Sequence, residues 1–139
     1  MQIQEFSEEF REQVIQLWQA CQLTAPWNDP NKDIDRKLLV NPELFLLGVL
    51  DDELVATVMG GYEGHRGWAN YLAVKQRYRK HGFGRQMMTE LEARLTAIGC
   101  PKINLQVRDA NLQVIAFYEA LGYGNDHVVG LGKRLIKDD

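Results

Sequence analysis

Apolar positions along the chain recur with two different periods, and the switches between them outline a fold. Phe10, Val14, Leu17, Trp18 and Cys21 return at three- and four-residue steps, the stripe of a helix with one core face. Ser7 precedes them as an N-cap candidate, and Glu8 and Glu9 supply the acidic first turn that a helix dipole favours. Ile3 to Phe6 reads as a short first strand. The segment from Leu23 to Pro30 breaks the helix, and Ile34, Leu38 and Leu39 mark a short second one that ends near Asn41-Pro42.

Strand patterning then takes over. Leu44 to Leu50 and Leu54 to Tyr62 are apolar runs parted by Asp51-Asp52-Glu53, the pattern of an antiparallel hairpin, with Gly60-Gly61 loosening the second arm. Glu63-Gly64-His65-Arg66-Gly67 is a polar turn into a fourth strand on which Trp68, Leu72 and Val74 alternate. Helical spacing resumes at Met87, Met88, Leu91, Leu95 and Ile98, and Gly99 and Pro101 close that helix. Ile103, Leu105 and Val107 alternate as a fifth strand. Asn111 is placed to cap a last helix with Val114, Phe117, Tyr118 and Leu121 on one stripe and Gly122 at its end. From Tyr123 the pattern is that of a closing hairpin, turning at Gly124-Asn125-Asp126 and returning through His127 to Ile136. The expected architecture is α+β: a mostly antiparallel sheet of six to seven strands, about four helices, and a β-α-β crossover that sets strands four and five parallel.

Length and composition narrow the class. A chain of 139 residues that is 45% hydrophobic and 25% charged suits one domain, residues 1–139, with a real core. Its formal charge of −3 argues against a general nucleic-acid binder. Cys21 and Cys100 are the only cysteines, too few for a disulfide framework and without metal-ligand spacing to the histidines, so no metal site is expected. Residues 1–10 lack the basic flank and apolar core of a signal peptide, and no run approaches a membrane span. A reduced, cytoplasmic protein is the expectation.

The chemistry concentrates between the fourth strand and the long helix. Arg79-Lys80-His81-Gly82-Phe83-Gly84 sets two glycines one residue apart, where the backbone can turn sharply and successive N–H groups can converge on an anion at the helix start. Lys75, Arg77, Arg79, Lys80 and Arg85 surround that turn in sequence without an acidic residue. There is no G-x-x-x-x-G-K-[ST], and Met87 stands where a dinucleotide fingerprint needs a third small residue.

The order Arg79-x-x-Gly82-x-Gly84, after an apolar strand and before an amphipathic helix, resembles the acyl-CoA pyrophosphate loop of the GNAT superfamily of N-acetyltransferases. Two further pieces carry the resemblance. Leu72-Ala73-Val74 is similar to the strand that parts from its neighbour in that family, so that the pantetheine arm pairs with its backbone. Asn111, Tyr118, Gly122 and Tyr123 are similar to the family's N-x-x-A-x-x-x-Y-x-x-x-G-[FY], with Val114 where alanine is usual. The resemblance implies a GNAT-like domain that moves an acetyl group from acetyl-CoA, its cosubstrate, to a primary amine by direct attack in a ternary complex. It further implies that Leu72, Ala73, Val74, Arg79, Lys80, His81, Gly82, Phe83, Gly84 and Asn111 bind the cosubstrate, and that Tyr118 protonates the departing thiolate. A phenol suits that step because its pKa of about 10 keeps it protonated near neutrality.

The base is not where relatives of this kind carry one. Trp68, Asn70 and Gln106 occupy those positions, and none accepts a proton. Glu63 and His65 on the preceding turn are the remaining side chains, with Glu63 the candidate base, and a water chain is the alternative. Trp27, Asp29, Asp33, Asp35 and Glu63 line the segments where a small-molecule or peptide amine would enter, the indole offering a cation–π face. An acyl-CoA-binding sensor without catalysis, and a nucleic-acid contact through Lys75 to Arg85, are the competing readings. A homodimer paired through the last hairpin's edge is compatible with the pattern.

Overall fold

The computed structural model describes residues 1–138. β1 (Gln2–Glu5), β2 (Phe45–Leu50), β3 (Glu53–Tyr62), β4 (Gly67–Val74) and β5 (Ile103–Asn104) form one sheet in chain order. The first four strands pair antiparallel and β4 pairs β5 in parallel. Asp51 and Asp52, both at positive φ, make the two-residue turn of the β2–β3 hairpin, and Leu50 faces Glu53 across it.

Alternation along β2 decides what each face buries. Leu44, just ahead of the strand, and Leu46 join the core under α3 (Phe83–Ala97) and α4 (Leu112–Ala120), whereas Phe45 and Leu47 join the core under α1 (Arg11–Ala20) and α2 (Pro30–Lys37). The stripe of α1 buries Val14, Leu17 and Trp18, and that of α3 buries Met87, Met88, Leu91 and Leu95. Gly60 has no side chain because Leu91 occupies the space a Cβ would need.

Several expectations are corrected. There are five strands among the described residues, not six to seven. Residues 123–138 contain no strand: β5 ends its ladder after two residues, so no regular edge awaits a hairpin, and Gly130 and Gly132 interrupt the alternation. Only Ile103 and Asn104 of the expected fifth strand are paired. Ser7 makes no capping bond; Glu8–Phe10 is a 3₁₀ turn and α1 begins at Arg11. Ile98 lies past the end of α3 and is half exposed.

Residues 123–138 instead cross the molecule by side-chain contacts. Asp126 pairs with Lys102 at 2.7 Å, Gly130 sits against Gln106, and Arg134 donates to Asn28. Asp138 then accepts from Arg36 and, at 2.9 Å, from the Asp29 N–H, so the segment reaches from beside β5 to the start of α2.

Candidate active site

Two features of β4 shape the site. The first is a gap. β5 pairs only with Gly67 and Trp68, so from Ala69 onward β4 has no strand partner on that side. Lys75 N donates to Val55 O at 2.8 Å, and alternation back along the strand turns Val74 and Leu72 away from β3, toward the side β5 has left. On that side no strand covers the edge, and the Val74 carbonyl is met only by Arg79 Nε at 3.4 Å and Cys21 Sγ at 3.6 Å, which leaves an extended ligand room to pair as an added strand.

The second feature is a bulge. Thr57 faces Ala73 while Met59 faces Asn70, so Tyr71 and Leu72 together oppose Val58, and Tyr71 takes φ 51°. One extra residue puts Asn70 and Tyr71 on the same face, that of α1 and α2, and moves Leu72 and Val74 to the α3 face. The predicted alternation of Trp68 with Leu72 and Val74 therefore holds on neither face. Asn70 is exposed, whereas the Tyr71 ring stacks on Trp18 with centroids 3.8 Å apart. The Trp18 Nε1–H donates to Thr57 Oγ1 at 3.0 Å, and that hydroxyl donates to the Tyr71 carbonyl at 2.8 Å. Thr57 is fully buried, and its two bonds pin the bulge from beneath. Tyr71 in turn donates its phenol to Asp33 Oδ2 at 2.7 Å; burial, then the Asp33 carboxylate, raises its pKa well above the ordinary phenol value.

The glycine turn follows β4. Lys80 and Gly82 both have positive φ, and α3 starts directly after Gly82. Gln86 N, donating to Gly82 O at 3.0 Å, makes the first helical bond, so the N–H groups of Phe83, Gly84 and Arg85 precede the ladder, with no capping side chain and no acid in the first turn. Gly82 needs its left-handed conformation. Gly84 answers a different demand, since a Cβ there would lie 3.0 Å from the Phe117 ring and 3.7 Å from Val74; its bareness seats α4 and β4 against the turn. Tyr78, His81 and Phe83 form an aromatic cluster beside it, with centroids about 6 Å apart.

The cations divide into three sets. Glu53 pairs with Lys75 at 2.6 Å and with Arg77, an acid that the local sequence did not bring near the loop. Arg79 is drawn toward α1, its Nε 3.4 Å from Val74 O and its Nη2 3.6 Å from Cys21 Sγ. Lys80 and Arg85 pair with no acid among the described residues.

Tyr118 and Asn111 both lie on α4. Asn111 Oδ1 accepts from Val114 N at 3.4 Å and caps the helix. Tyr118 is 9% exposed, packed into the core that holds Ala69, Leu72 and Val74, and edge-on to Tyr123 at 5.6 Å. Among the described residues its hydroxyl has no hydrogen-bond partner, and burial pushes its pKa up to about 12. Leu72, Ala73, Val74, Gly82, Phe83, Gly84 and Tyr118 are thus gathered around one end of β4. Glu63 is not: it is exposed on the turn before β4, at the end where β4 and β5 remain paired, and its Oε1 accepts from the N–H groups of His65, at 2.9 Å, and Arg66.

Thr57, Tyr71 and Glu53 were not singled out from the sequence. The signal for the bulge was the polar Asn70 interrupting the even-numbered apolar set of the strand.

Known proteins share this frame. An acetyltransferase of Yersinia pestis is 49% identical over 138 residues, which is 99% of this chain and 98% of that protein. The crystal structure of Ard1 from Thermoplasma volcanium has a TM-score of 0.79 at 24% identity over 87% of this chain and 80% of that one. Glucosamine-6-phosphate N-acetyltransferase from Arabidopsis thaliana has a TM-score of 0.72 at 17% identity over 97% and 98%; these two structures carry the likeness of fold. The model of the GNAT acetyltransferase family matches residues 5–123, and so, with its parted strands, its glycine cradle and its α4 tyrosine, the chain is a member of the GNAT family and an acyltransferase.

Proposed function

We propose that the whole chain works as one acetyl-CoA-dependent N-acetyltransferase domain, moving acetyl to a primary amine by direct attack in a ternary complex. The observation that carries the reading is the coincidence of an unpaired β4 edge, an uncapped helix N-terminus and a largely buried tyrosine whose unpartnered hydroxyl stays open to solvent, all around the end of one strand. Acetyl-CoA supplies a thioester whose carbonyl carbon accepts the amine.

Each residue then has a physical task. The N–H groups of Phe83, Gly84 and Arg85, with the Lys80 and Arg85 charges, suit a pyrophosphate. Leu72 and Val74 offer main-chain groups to a pantetheine arm and can polarise a carbonyl oxygen. Asn111 has an amide NH₂ to spare beyond its capping oxygen. Tyr118, its pKa raised to about 12 by burial, is protonated near neutrality and is the donor for the leaving thiolate. Glu63 serves its own turn, which favours water in the open gap as the carrier of the amine's proton. The two cysteines are free, in keeping with a reduced, cytoplasmic setting, and no helix among the described residues is long and apolar enough to cross a membrane.

Thiol release from acetyl-CoA, measured across peptide N-termini, lysine peptides, polyamines, amino acids and aminoglycosides, tests the reading. Acceptor-dependent release that Tyr118→Phe slows supports it. Binding of acetyl-CoA without release from any of them would favour a sensor.

A further inference from the structure

Between Trp27, α2 and the segment after α4 lies an open groove of about 770 Å³. Its lining includes Trp27, Arg36, Lys133, Arg134, Leu135 and Ile136, three of them cationic and none acidic. Trp27 is 58% exposed, Leu135 86% and Ile136 67%, so the walls present bare indole and aliphatic surface.

The acids gather at one end. Asp138, whose side chain is 1% exposed, is shared by Arg36 and by Arg134 at 3.8 Å, Asp33 reaches Arg36 at 3.3 Å, and Asp29 acts on Arg36 from farther off. Lys133 has no acidic partner among the described residues. A chain of side-chain contacts ties the groove's wall to the bulge. Arg36 touches Asp33 one turn back along α2, and Asp33 holds the Tyr71 hydroxyl. The segment that forms its outer wall passes Gln106 on the far side of the β4–β5 gap.

We infer that this groove receives the amine acceptor and selects one that carries an anionic group on a small, partly apolar body. The anion lies toward Lys133, the apolar body lies against Trp27 and Leu135, and the amine end faces the Asn70–Tyr71 bulge. A polycation is disfavoured, because the lining meets it with like charge. This assignment rests on the acetyl transfer proposed above and names its substrate class.

The test compares kcat/KM within pairs of amines that differ in the anion: phenylalanine against phenylalaninamide, and phosphoethanolamine against ethanolamine, with spermidine as the polycation. The expected result is a preference of about tenfold or more for the anionic member of at least one pair, the pair itself telling carboxylate from phosphate, with spermidine slowest. Lys133→Glu, at an exposed position, should cut that preference to about twofold or less. Acetylation of spermidine or the amide in preference to the anionic amine, or a preference that Lys133→Glu leaves intact, overturns the groove assignment while acetyl transfer stands. A protein that neither binds nor consumes acetyl-CoA overturns acetyl transfer instead. The groove is then read by calorimetric titration with N-acetylphenylalanine: binding weakened by Lys133→Glu supports it, and no binding overturns it.

Discussion

Thr57→Val isolates the device that shapes the acceptor face. The substitution keeps the side chain's volume, so it opens no cavity, but it removes a hydroxyl that accepts from Trp18 Nε1 at 3.0 Å and donates to the Tyr71 carbonyl at 2.8 Å. Thr57 and Trp18 are both fully buried, and water cannot replace the lost partner of the indole. Each stranded group costs about 1–3 kcal/mol, and the extra buried methyl returns about 1 kcal/mol. The net loss is about 1–5 kcal/mol. At roughly 4 °C per kcal/mol for a chain of this size, the melting midpoint falls by about 4–20 °C. Thr57→Ser keeps both bonds and loses one methyl, about 1 kcal/mol. Thermal and urea unfolding of the three proteins measures these differences, and thiol release at saturating acetyl-CoA measures the bulge, since kcat should fall in the valine variant and hold in the serine one. A valine variant within about 0.5 kcal/mol of wild type, or a serine variant equally damaged, would refute the claim that this hydroxyl pins the bulge.

Other outcomes follow from single groups. Tyr118→Phe should lower kcat by about tenfold or more and leave the KM for acetyl-CoA within about twofold, because its hydroxyl holds up no other part of the protein. The raised Tyr118 pKa also makes the folded state resist ionisation: its stabilising contribution is full below pH 10 and lost as pH rises toward about 12, so the phenylalanine variant should show shallower alkaline unfolding between those values. Gly82→Ala meets no atom but must hold φ 81°, so it should cost about 1 kcal/mol in urea unfolding and weaken calorimetric binding of CoA. Asp138 is held down at about 2 from 3.8 by Arg36 first and then by the Asp29 N–H; the latch is complete above about pH 4 and lost as pH falls toward 2, which the Trp27 indole signal in NMR spectra should follow.

How far the sequence reveals this protein depends on whether a feature is local. The α3 stripe and the Lys80–Gly84 turn are visible because period and glycine placement act within a few residues, and helix, cradle and parallel β4–β5 pairing all appear where the pattern puts them. The bulge leaves only the polar Asn70 as a trace in the sequence, because it is set by Thr57, fourteen residues away on another strand, through a hydroxyl whose partner is chosen by packing. Glu53 escapes for the same reason: it closes on Lys75 and Arg77 across the β3–β4 pairing, so a loop that is purely basic in sequence is partly neutralised in space. The alternation from His127 to Ile136 resembles a strand, yet strand formation needs an edge, and β5 parts from β4 after Asn104. The same parting that makes room for a ligand removes the template for a sixth strand. Spacing shows Asn111 as a helix cap and Tyr118 on the apolar stripe of α4, and only the family resemblance adds a role to either; the Glu63 carboxylate, near the site along the chain, is turned onto its own loop.

The most direct test of the account is a backbone amide NMR titration of the protein with CoA. The account predicts two responding groups: the Lys80 to Gln86 amides at the start of α3, from the pyrophosphate, and the Leu72 to Val74 amides on the unpaired edge of β4, from the pantetheine, with Gly67 and Trp68 in the closed β4–β5 pairing unmoved. Saturation without change at Leu72 to Val74, or changes centred on Tyr62 to Trp68, would contradict it.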